Sequence, residues 1–381
     1  MQIAVNTRLL LSNKLEGIGW FTFETLRRIV QKHPEHHFYF LFDRQFSPEF
    51  IFGPNVTPVV LGPQSRHPLL WYIWFEFSVA RFLKKNKIDL FISPDGYLPL
   101  TTKVPTIAVI HDINFAHQPE GLPKLTAWYY NYFFPKFAHK ATRIVTVSEY
   151  SKTDIVETYS VAPHKVIVAY NGANSDYMPL DGKQIAEVRR ELTGGSPYFM
   201  FVGAFSPRKN VVGLLQAFDQ FRMQHVDGFK LVLVGERLFK TNDMERAYKS
   251  MTFKEDVVFT GRLNVERLKL VMGAAAGLVF VPFFEGFGIP LLEAMRCNVP
   301  IVSSNKTSMP EVTGEAALLV DPYNIKEIAS AMVYLVETEG LAEELAVKGM
   351  ARSKHFSWDI TAQKLWEAVE IVDKQRSETN A

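Results

Sequence analysis

Two carboxylates eight residues apart flank a glycine-rich turn in the segment EGFGIPLLEAM, which runs from Glu285 to Met295. The apolar run AGLVFVPFF before it predicts a buried strand, and Pro290 suits the first turn of a following helix. Glu285 then lies at the carboxyl end of the strand and Glu293 about one turn into the helix. α/β folds bind ligands at this edge. Carboxylates accept hydrogen bonds from sugar and ribose hydroxyls, and the amides of a helix start bind anions. The segment therefore predicts a site for a nucleotide-activated sugar.

A pair of cations occupies a similar position in the segment VGAFSPRKN, where Arg208 and Lys209 follow a predicted strand and stand just before a helix. Charge develops on a leaving diphosphate as a glycosidic bond breaks, and fixed cations stabilise it. Such a pair is by itself more often a solvated loop feature. The matching strand–turn–helix position of the Glu285 segment favours the diphosphate interpretation.

Two glycines, Gly17 and Gly19, follow the first predicted strand in EGIGWFTFE. They allow backbone amides to approach a phosphate at the start of a helix, and an ordinary tight turn explains them equally. A dinucleotide fingerprint needs a third glycine where Thr22 stands, so a pyridine-nucleotide dehydrogenase is the least expected class.

A histidine closes another predicted strand, at His111 in AVIHDINF. From there it can donate a hydrogen bond to a sugar hydroxyl or to the reacting oxygen. A lone histidine is more often structural. The adjoining Asp112 and the position at the strand end leave both interpretations open.

The composition is that of a globular α/β protein: the chain has 381 residues, of which 47% are hydrophobic and 22% charged. A formal net charge of +2 gives no case for nucleic acid as a partner. Cys297 is the one cysteine, which excludes an internal disulfide and fits a reducing compartment. The N-terminus lacks the features of a signal peptide, so we expect a cytoplasmic protein. No DxD or histidine-rich ligand spacing occurs, so we expect no metal.

Strand-like and helix-like segments alternate along the chain, which predicts parallel sheets covered by helices. Seven strand candidates precede a turn-rich break at residues 171–183, and six follow it. The candidates are MQIAVNT, HHFYFLFD, VTPVVL, DLFIS, VPTIAVI, TRIVTVS, HKVIVAY, YFMFVGAF, FKLVLVGE, DVVFTGRL, AGLVFVPFF, VPIVSS and AALLVDP.

One aromatic helix, HPLLWYIWFEF, precedes the basic segment ARFLKKNK. Its aromatic residues beside a basic end suggest a peripheral contact of the N-terminal half with the cytoplasmic face of a membrane. Because the segment is apolar nearly all round, a core helix is favoured. The residues concerned are Trp71, Trp74, Phe75, Phe77, Lys84, Lys85 and Lys87.

Together these segments resemble the retaining glycosyltransferases of family 4, which have the GT-B fold. The likeness spans nearly the whole chain and is most specific in FVPFFEGFGIPLLEAM, with VPIVSSN, MPEVTGEAALLVDP and HFSWDITA after it. It implies an α/β fold of two Rossmann-like, doubly wound parallel-sheet domains that face across a cleft. The implied acceptor-binding domain covers residues 1–175 and the nucleotide-sugar-binding domain residues 176–356. A C-terminal helix over residues 357–381 would cross back to the first domain.

The resemblance also implies roles for residues of the second domain. Glu293 would hold the ribose hydroxyls and Glu285 the donor sugar, while Arg208 and Lys209 would bind the diphosphate. The other residues implied to bind the donor are Gly203, Arg262 and Leu263, of which the last two flank the base, and Gly286, Phe287 and Gly288, whose amides hold the sugar.

In the first domain the resemblance implies that Gly17 and Gly19 approach the phosphate or the acceptor, and that His111 contacts the donor sugar near the reacting carbon. The family loop commonly reads GGIGR, whereas this chain has Glu16 and Trp20 in EGIGW. This departure suggests a different acceptor.

The implied reaction is metal-independent transfer of a hexose, with retention, from a nucleotide sugar to a glycan or lipid-linked glycan. No cofactor is expected besides the donor, for which GDP-mannose is slightly preferred over UDP- and dTDP-sugars. Two alternatives stay open, a GT-B nucleotide-sugar epimerase and a non-catalytic protein that binds sugar nucleotides.

Overall fold

The chain forms two compact units, one of residues 1–172 with 357–381 and one of residues 173–356. We call them the N-terminal and the C-terminal domain. The computed structural model describes residues 1–12, 14–224, 228–236 and 242–380. The sequence predicts domain boundaries after residues 175 and 356, and the structure divides the chain into its two compact units after residues 172 and 356.

The N-terminal domain is built on a seven-stranded parallel sheet in the order β3-β2-β1-β4-β5-β6-β7. The direction in which strands are added reverses between β1 and β4, which makes this the topological switch point of the sheet. Its strands are β1 (Gln2–Asn6), β2 (His37–Phe42), β3 (Val56–Val60), β4 (Leu90–Ser93), β5 (Thr106–Val109), β6 (Arg143–Thr146) and β7 (Val166–Val168).

The C-terminal domain repeats this plan with a six-stranded parallel sheet in the order β10-β9-β8-β11-β12-β13. Here the switch point lies between β8 and β11. The structure confirms the two Rossmann-like sheets and all thirteen predicted strands. Those of this domain are β8 (Tyr198–Val202), β9 (Lys230–Val234), β10 (Val257–Gly261), β11 (Gly277–Phe280), β12 (Ile301–Ser304) and β13 (Leu318–Val320).

Helices connect most of the strands, as is usual for crossovers between parallel strands. The exceptions are β2 to β3, joined through the 3-10 turn Pro48–Phe50, and β4 to β5, joined by a loop. Those of the N-terminal half are α1 (Gly17–Lys32), α2 (Pro68–Ile73), α3 (Ala80–Lys85), α4 (Asn114–His117), α5 (Lys124–Lys140) and α6 (Glu149–Tyr159). The C-terminal half adds α7 (Gly182–Thr193), α8 (Val211–Gln224), α9 (Asn242–Ser250), α10 (Val265–Gly273), α11 (Ile289–Arg296), α12 (Met309–Thr313), α13 (Ile325–Glu337), α14 (Leu341–Ser353) and α15 (Trp358–Asn380).

The last helix, α15, packs on α1 within the N-terminal domain. Trp366 of α15 stacks on the ring of His33, with centroids 3.6 Å apart. Arg28 of α1 lies 3.3 Å from the carboxylate of Asp359. These contacts join the C-terminal segment to the first strand–helix unit of the chain.

The aromatic helix predicted near residue 71 forms one continuous helical stretch, in which some of the aromatic side chains are buried and others are exposed. A π-helical segment, Trp74–Val79, joins α2 to α3. Trp74 and Phe75 are fully buried in the aromatic core of the domain, whereas Phe77 is exposed. The favoured interpretation of a core helix is therefore confirmed for Trp74 and Phe75, which belong to the same buried cluster as Phe91. A surface position for these two rings was wrong. Across the ranges that the structure describes, no helix has the length and apolarity needed to cross a bilayer.

Candidate functional site

The switch point of the C-terminal domain brings together three of the predicted residues. Arg208 and Lys209 belong to a single 3-10 turn, Pro207–Lys209, between β8 and α8. Glu285 follows β11. A guanidinium nitrogen of Arg208 lies 2.7 Å from the Glu285 carboxylate, and the Lys209 ammonium donates to the same oxygen. Two cations therefore converge on one carboxylate at the edge where α/β sheets bind ligands.

The charges in this cluster stabilise one another. Burial alone would raise the pKa of Glu285, but the adjacent Lys209 and Arg208 outweigh it and lower that pKa to about 2. The carboxylate is therefore ionised at neutral pH, and the cluster carries a net charge of +1. Such a site attracts an anion that can take over one or both cations.

Backbone and side-chain contacts fix the turn that carries the cations. Asn210 adopts a positive φ of 58°, and its side-chain oxygen accepts from the amide of Gly213 to cap α8. The Asn210 amide donates to the carbonyls of Val281 and Pro322, at 3.2 and 2.8 Å. These bonds connect the turn to the segments that follow β11 and β13, and they fix the backbone that carries Arg208 and Lys209.

The turn after β11 depends on glycine. Gly288, which precedes α11, has a φ of +89°, and a Cβ there would lie 2.9 Å from the Met309 side chain. Gly286 and Phe287 are buried in the same turn. Ser308 donates to the carbonyl oxygen of Glu285 at 2.8 Å, which anchors the start of the turn.

Gly203 ends β8 in a conformation that side chains rarely adopt, with φ +146°. Its carbonyl oxygen lies so close to Gly235 that a Cβ on Gly235 would approach it to 2.0 Å. The backbone at Gly203 therefore leaves no room for a side chain at Gly235, whereas at Gly203 itself the positive φ is what favours glycine.

Glu293 lies on α11, as predicted, and pairs with a residue that the sequence did not single out. Its partner is the hydroxyl of the buried Tyr177. Burial raises the pKa of Glu293 to about 7, with the Tyr177 hydrogen bond opposing that rise. Cys297, one helical turn further on, is buried and has its pKa raised to about 12, which makes it a packing residue.

Arg262 and Leu263 lie on the loop that follows β10, the edge strand of the sheet. Arg262 is exposed and Leu263 half-buried. Asn264 then caps α10 by accepting from the amide of Arg267. These two residues share the carboxyl edge of the sheet with Gly203 and Glu285, although β9 separates β10 from β8. Their role beside the nucleotide base stays a prediction.

The predicted glycines of the N-terminal domain differ in their surroundings. Gly17, the first residue of α1, is exposed, and a Cβ there would meet nothing within 4 Å. Gly19 is buried, and a Cβ would lie 3.1 Å from the carbonyl oxygen of Leu9. Gly19 therefore serves the packing of the preceding loop against α1, and a phosphate contact for either glycine stays a prediction.

His111, after β5, is half-buried with its ring edge-on to Phe21. Its Nε2 lies 2.9 Å from the carbonyl oxygen of Pro94. Because a carbonyl only accepts, Nε2 carries the proton, and burial lowers the pKa of the ring. The neutral ring therefore offers Nδ1 as an acceptor, whereas the sequence suggested a donor.

Sequence reasoning missed a polar cluster at the switch point of the N-terminal domain. The Asp95 carboxylate accepts from Arg8 Nε at 2.6 Å, from the Asn6 amide at 2.7 Å and from the Ser93 hydroxyl at 3.0 Å. The Arg8 guanidinium lies 4.3 Å from the ring centroid of Tyr97. Asn6 ends β1 and Ser93 ends β4, so polar residues directly after two central strands were the available signal.

The structure thus joins Arg208, Lys209 and Glu285 in one cluster and gives Glu293 a separate partner in the same domain. His111, Gly17 and Gly19 belong to the other domain. Within the described parts of the chain, no three His, Cys, Asp or Glu side chains group in a way that could hold a metal ion. Metal independence stays a prediction.

Comparison with known proteins covers both domains. The sequence model described as "Glycosyltransferase Family 4" matches residues 15–177, and that described as "Glycosyl transferases group 1" matches residues 183–352. O-antigen chain mannosyltransferase B of Escherichia coli is 30% identical over 278 residues, which are 73% of either chain. O-antigen chain mannosyltransferase RfbU of Salmonella typhimurium is 28% identical over 73% of this chain and 74% of that protein.

Among solved structures, sucrose-phosphate synthase from Thermosynechococcus elongatus superimposes with a TM-score of 0.79. The match covers 98% of this chain and 100% of that one at 17% identity. At this identity the likeness concerns the fold, which is GT-B.

Proposed function

Because this chain belongs to the family 4 glycosyltransferases, we propose that it moves a hexose, with retention of configuration, from a nucleotide sugar to a hydroxyl of a glycan or lipid-linked glycan. Glycosyl transfer follows from the family. The observation that supports the finer proposal is the cluster of Arg208, Lys209 and Glu285 at the switch point of the C-terminal domain.

The cluster suits a donor that carries a diphosphate. When a diphosphate binds, its oxygens compete with Glu285 for the two cations, and the carboxylate becomes an acceptor for hydroxyls of the donor sugar. As the bond from the anomeric carbon to the phosphate oxygen breaks, negative charge accumulates on the diphosphate. Arg208 and Lys209 then stabilise the transition state more than the ground state.

Retention is proposed to proceed without a covalent sugar–enzyme intermediate. The departing phosphate oxygen takes the proton of the acceptor hydroxyl on the same face of the sugar that the hydroxyl attacks. The protein mainly positions the two reactants and supports the leaving group. His111 fits this scheme as an acceptor for a sugar hydroxyl, because Nδ1 is the ring nitrogen that carries no proton.

GDP-mannose is the donor that we propose. Two relatives that match 73% of this chain are described as O-antigen chain mannosyltransferases. The same relatives support a surface polysaccharide or its lipid-linked precursor as acceptor. No metal or further cofactor takes part in the proposed reaction, so a chelator should leave the rate unchanged.

The test is to incubate the protein with GDP-mannose, UDP-glucose or a dTDP-sugar and a lipid-linked glycan fraction, and to measure release of the nucleoside diphosphate. The configuration of the new linkage is then read by NMR. Transfer from GDP-mannose with an α-linked product supports the proposal. An inverted linkage overturns retention, and release of a free epimerised sugar identifies an epimerase. Nucleotide binding without turnover identifies a non-catalytic binder.

A matched pair of variants ties the activity to the cluster. Arg208→Ala should abolish most of the transfer. Arg246→Ala removes an exposed arginine of α9 from the same domain and should leave transfer unchanged.

A further inference from the structure

Two neighbouring helical segments of the N-terminal domain expose large apolar side chains on one surface. On α5 the spacing of three and four residues places three of them along one helix face, and the other three belong to α2 and the π-helical segment. Each is between 39% and 61% exposed. We call this surface the aromatic–basic face, and its apolar members are Leu69, Tyr72, Phe77, Leu125, Trp128 and Tyr132.

Ring contacts make the face continuous. Trp128 stacks on Tyr132 with centroids 5.4 Å apart, and both lie against Phe133. Phe133 also touches Tyr72 at 5.8 Å, and Tyr72 meets Phe77 at 6.2 Å. An exposed apolar surface of this kind, spanning two elements, indicates an interaction site.

The charges around the face are almost all positive. α5 carries Lys124 and Lys136 among its exposed residues and contains no acidic residue. The Lys136 ammonium lies 3.4 Å from the ring centroid of Tyr132. On the neighbouring segment the one acidic side chain, Glu76, accepts hydrogen bonds from the backbone amides of Leu100 and Thr101.

The basic character continues along α3, and the exposed side chains there are Arg81, Lys84 and Lys85. The exposed carboxylate of Glu120, in the turn before α5, is the acidic group next to the face along the chain. Cations therefore predominate among the exposed charges of α5 and of α3, the helix that continues the neighbouring segment.

We propose that the aromatic–basic face binds the surface of an anionic lipid bilayer. Tryptophan and tyrosine rings favour the region between headgroups and acyl chains, and lysines extend from it to anionic headgroups. Complementary charge favours lipid over a second copy of this chain, because the same basic face would meet itself in a symmetric dimer. The proposal fits a lipid-linked acceptor but does not depend on the transfer reaction.

The test is flotation of the purified protein with vesicles of phosphatidylcholine, with and without phosphatidylglycerol, at low and high salt. We expect binding to the anionic vesicles, weakened by salt. Trp128→Ala/Tyr132→Ala should lower the partition coefficient about tenfold or more, since it removes two rings from the bilayer. Lys124→Gln/Lys136→Gln should weaken binding about fivefold per lysine.

The matched control is Tyr323→Ala/Tyr334→Ala, which removes two exposed aromatic rings of the C-terminal domain, 65% and 54% exposed. It should bind the vesicles like the wild type. All the substituted side chains are exposed, and thermal melts confirm that each variant folds.

Tryptophan fluorescence provides a second readout, because Trp128 is exposed whereas the other five tryptophans are buried or half-buried. Anionic vesicles should shift its emission to shorter wavelength, and Trp128→Phe should lose the shift while still binding. Failure to bind anionic vesicles at low salt would overturn the proposal. The proposal would also be overturned if sedimentation showed a dimer of the wild type that Trp128→Ala converts to monomer, because the face would then be a protein interface. Both results leave nucleotide binding untouched.

Discussion

At the scale of single residues, Arg208 and Lys209 are the side chains on which the proposed chemistry depends most. Arg208→Ala should lower kcat about a hundredfold or more, because charge on the leaving diphosphate loses one of its two fixed partners. Arg208→Lys should recover part of the rate, since a point charge replaces the planar fork. Steady-state release of nucleoside diphosphate measures both. A kcat within twofold of the wild type for Arg208→Ala would show that the diphosphate binds elsewhere.

Glu293 makes stability depend on pH in a direction that can be checked. Its pKa of about 7 in the folded protein exceeds the ordinary value of 4.5. Between these values the folded state binds more protons than the unfolded state, so the free energy of unfolding falls as pH rises. Glu293→Gln removes this dependence. The variant should therefore gain in melting temperature relative to the wild type above pH 7, and the difference should vanish below pH 4.5. A difference that is constant with pH would contradict the raised pKa.

Asp95 tests whether the polar cluster of the N-terminal domain is structural. The side chains of Arg8 and Asp95 are only 7% and 4% exposed. Asp95→Asn leaves a buried guanidinium without its counter-charge and should cost about 3–5 kcal/mol in urea unfolding. Asp243→Asn breaks an exposed pair with Arg246 and should change stability by less than about 0.5 kcal/mol. Equal effects of the two variants would refute the assignment.

At the scale of elements, the turn between β8 and α8 positions the two cations through Asn210. Asn210→Ala should destabilise the protein by about 2–4 kcal/mol, because it removes a helix cap and leaves two buried carbonyls unpaired. Asn210→Gly loses the same bonds but adopts the positive φ without strain, and should be about 1 kcal/mol more stable than Asn210→Ala. Thermal and urea unfolding of both variants measure these differences. Equal stability of the two would show that the backbone conformation carries no strain.

The sequence predicts much of this arrangement because local patterns carry it. Each strand reads as a short apolar run, and the segments around Arg208 and Glu285 each show a strand, a turn and a helix start. Parallel strands bring their carboxyl ends to one edge, so the proximity of these residues follows once the two strands are neighbours. The pairing of β8 with β11 confirms that they are.

Contacts between segments that are distant along the chain could not be predicted from local sequence patterns. Arg8 and Asp95 are 87 residues apart, and their pairing requires β1 to lie beside β4 in the register that aligns Val5 with Ile92. No local pattern states that register. The pairing of Tyr177 with Glu293 was missed for the same reason. The exposed side of α5 was missed because its aromatic residues surround the helix, so periodicity does not separate buried rings from exposed ones.

At the scale of the whole molecule, both domains place polar groups at a topological switch point. In the C-terminal domain two cations share one carboxylate, which leaves a net charge of +1, while in the N-terminal domain Arg8 and Asp95 neutralise each other in a buried pair. This difference supports donor binding by the C-terminal domain, as we propose. In the N-terminal domain, His111 is the candidate for contact with the donor sugar, and the aromatic–basic face is the candidate for contact with a membrane.

The most direct measurement of the central claim is calorimetric binding of GDP, UDP and dTDP to the wild type and to Arg208→Ala and Glu293→Ala. We predict that GDP binds most tightly, and that each variant loses about tenfold or more in affinity, because Arg208 is predicted to bind the diphosphate and Glu293 the ribose hydroxyls. Arg246→Ala should bind like the wild type. If the folded wild type binds none of the three nucleotides, or if both variants bind GDP unchanged, the assignment of the donor site is contradicted.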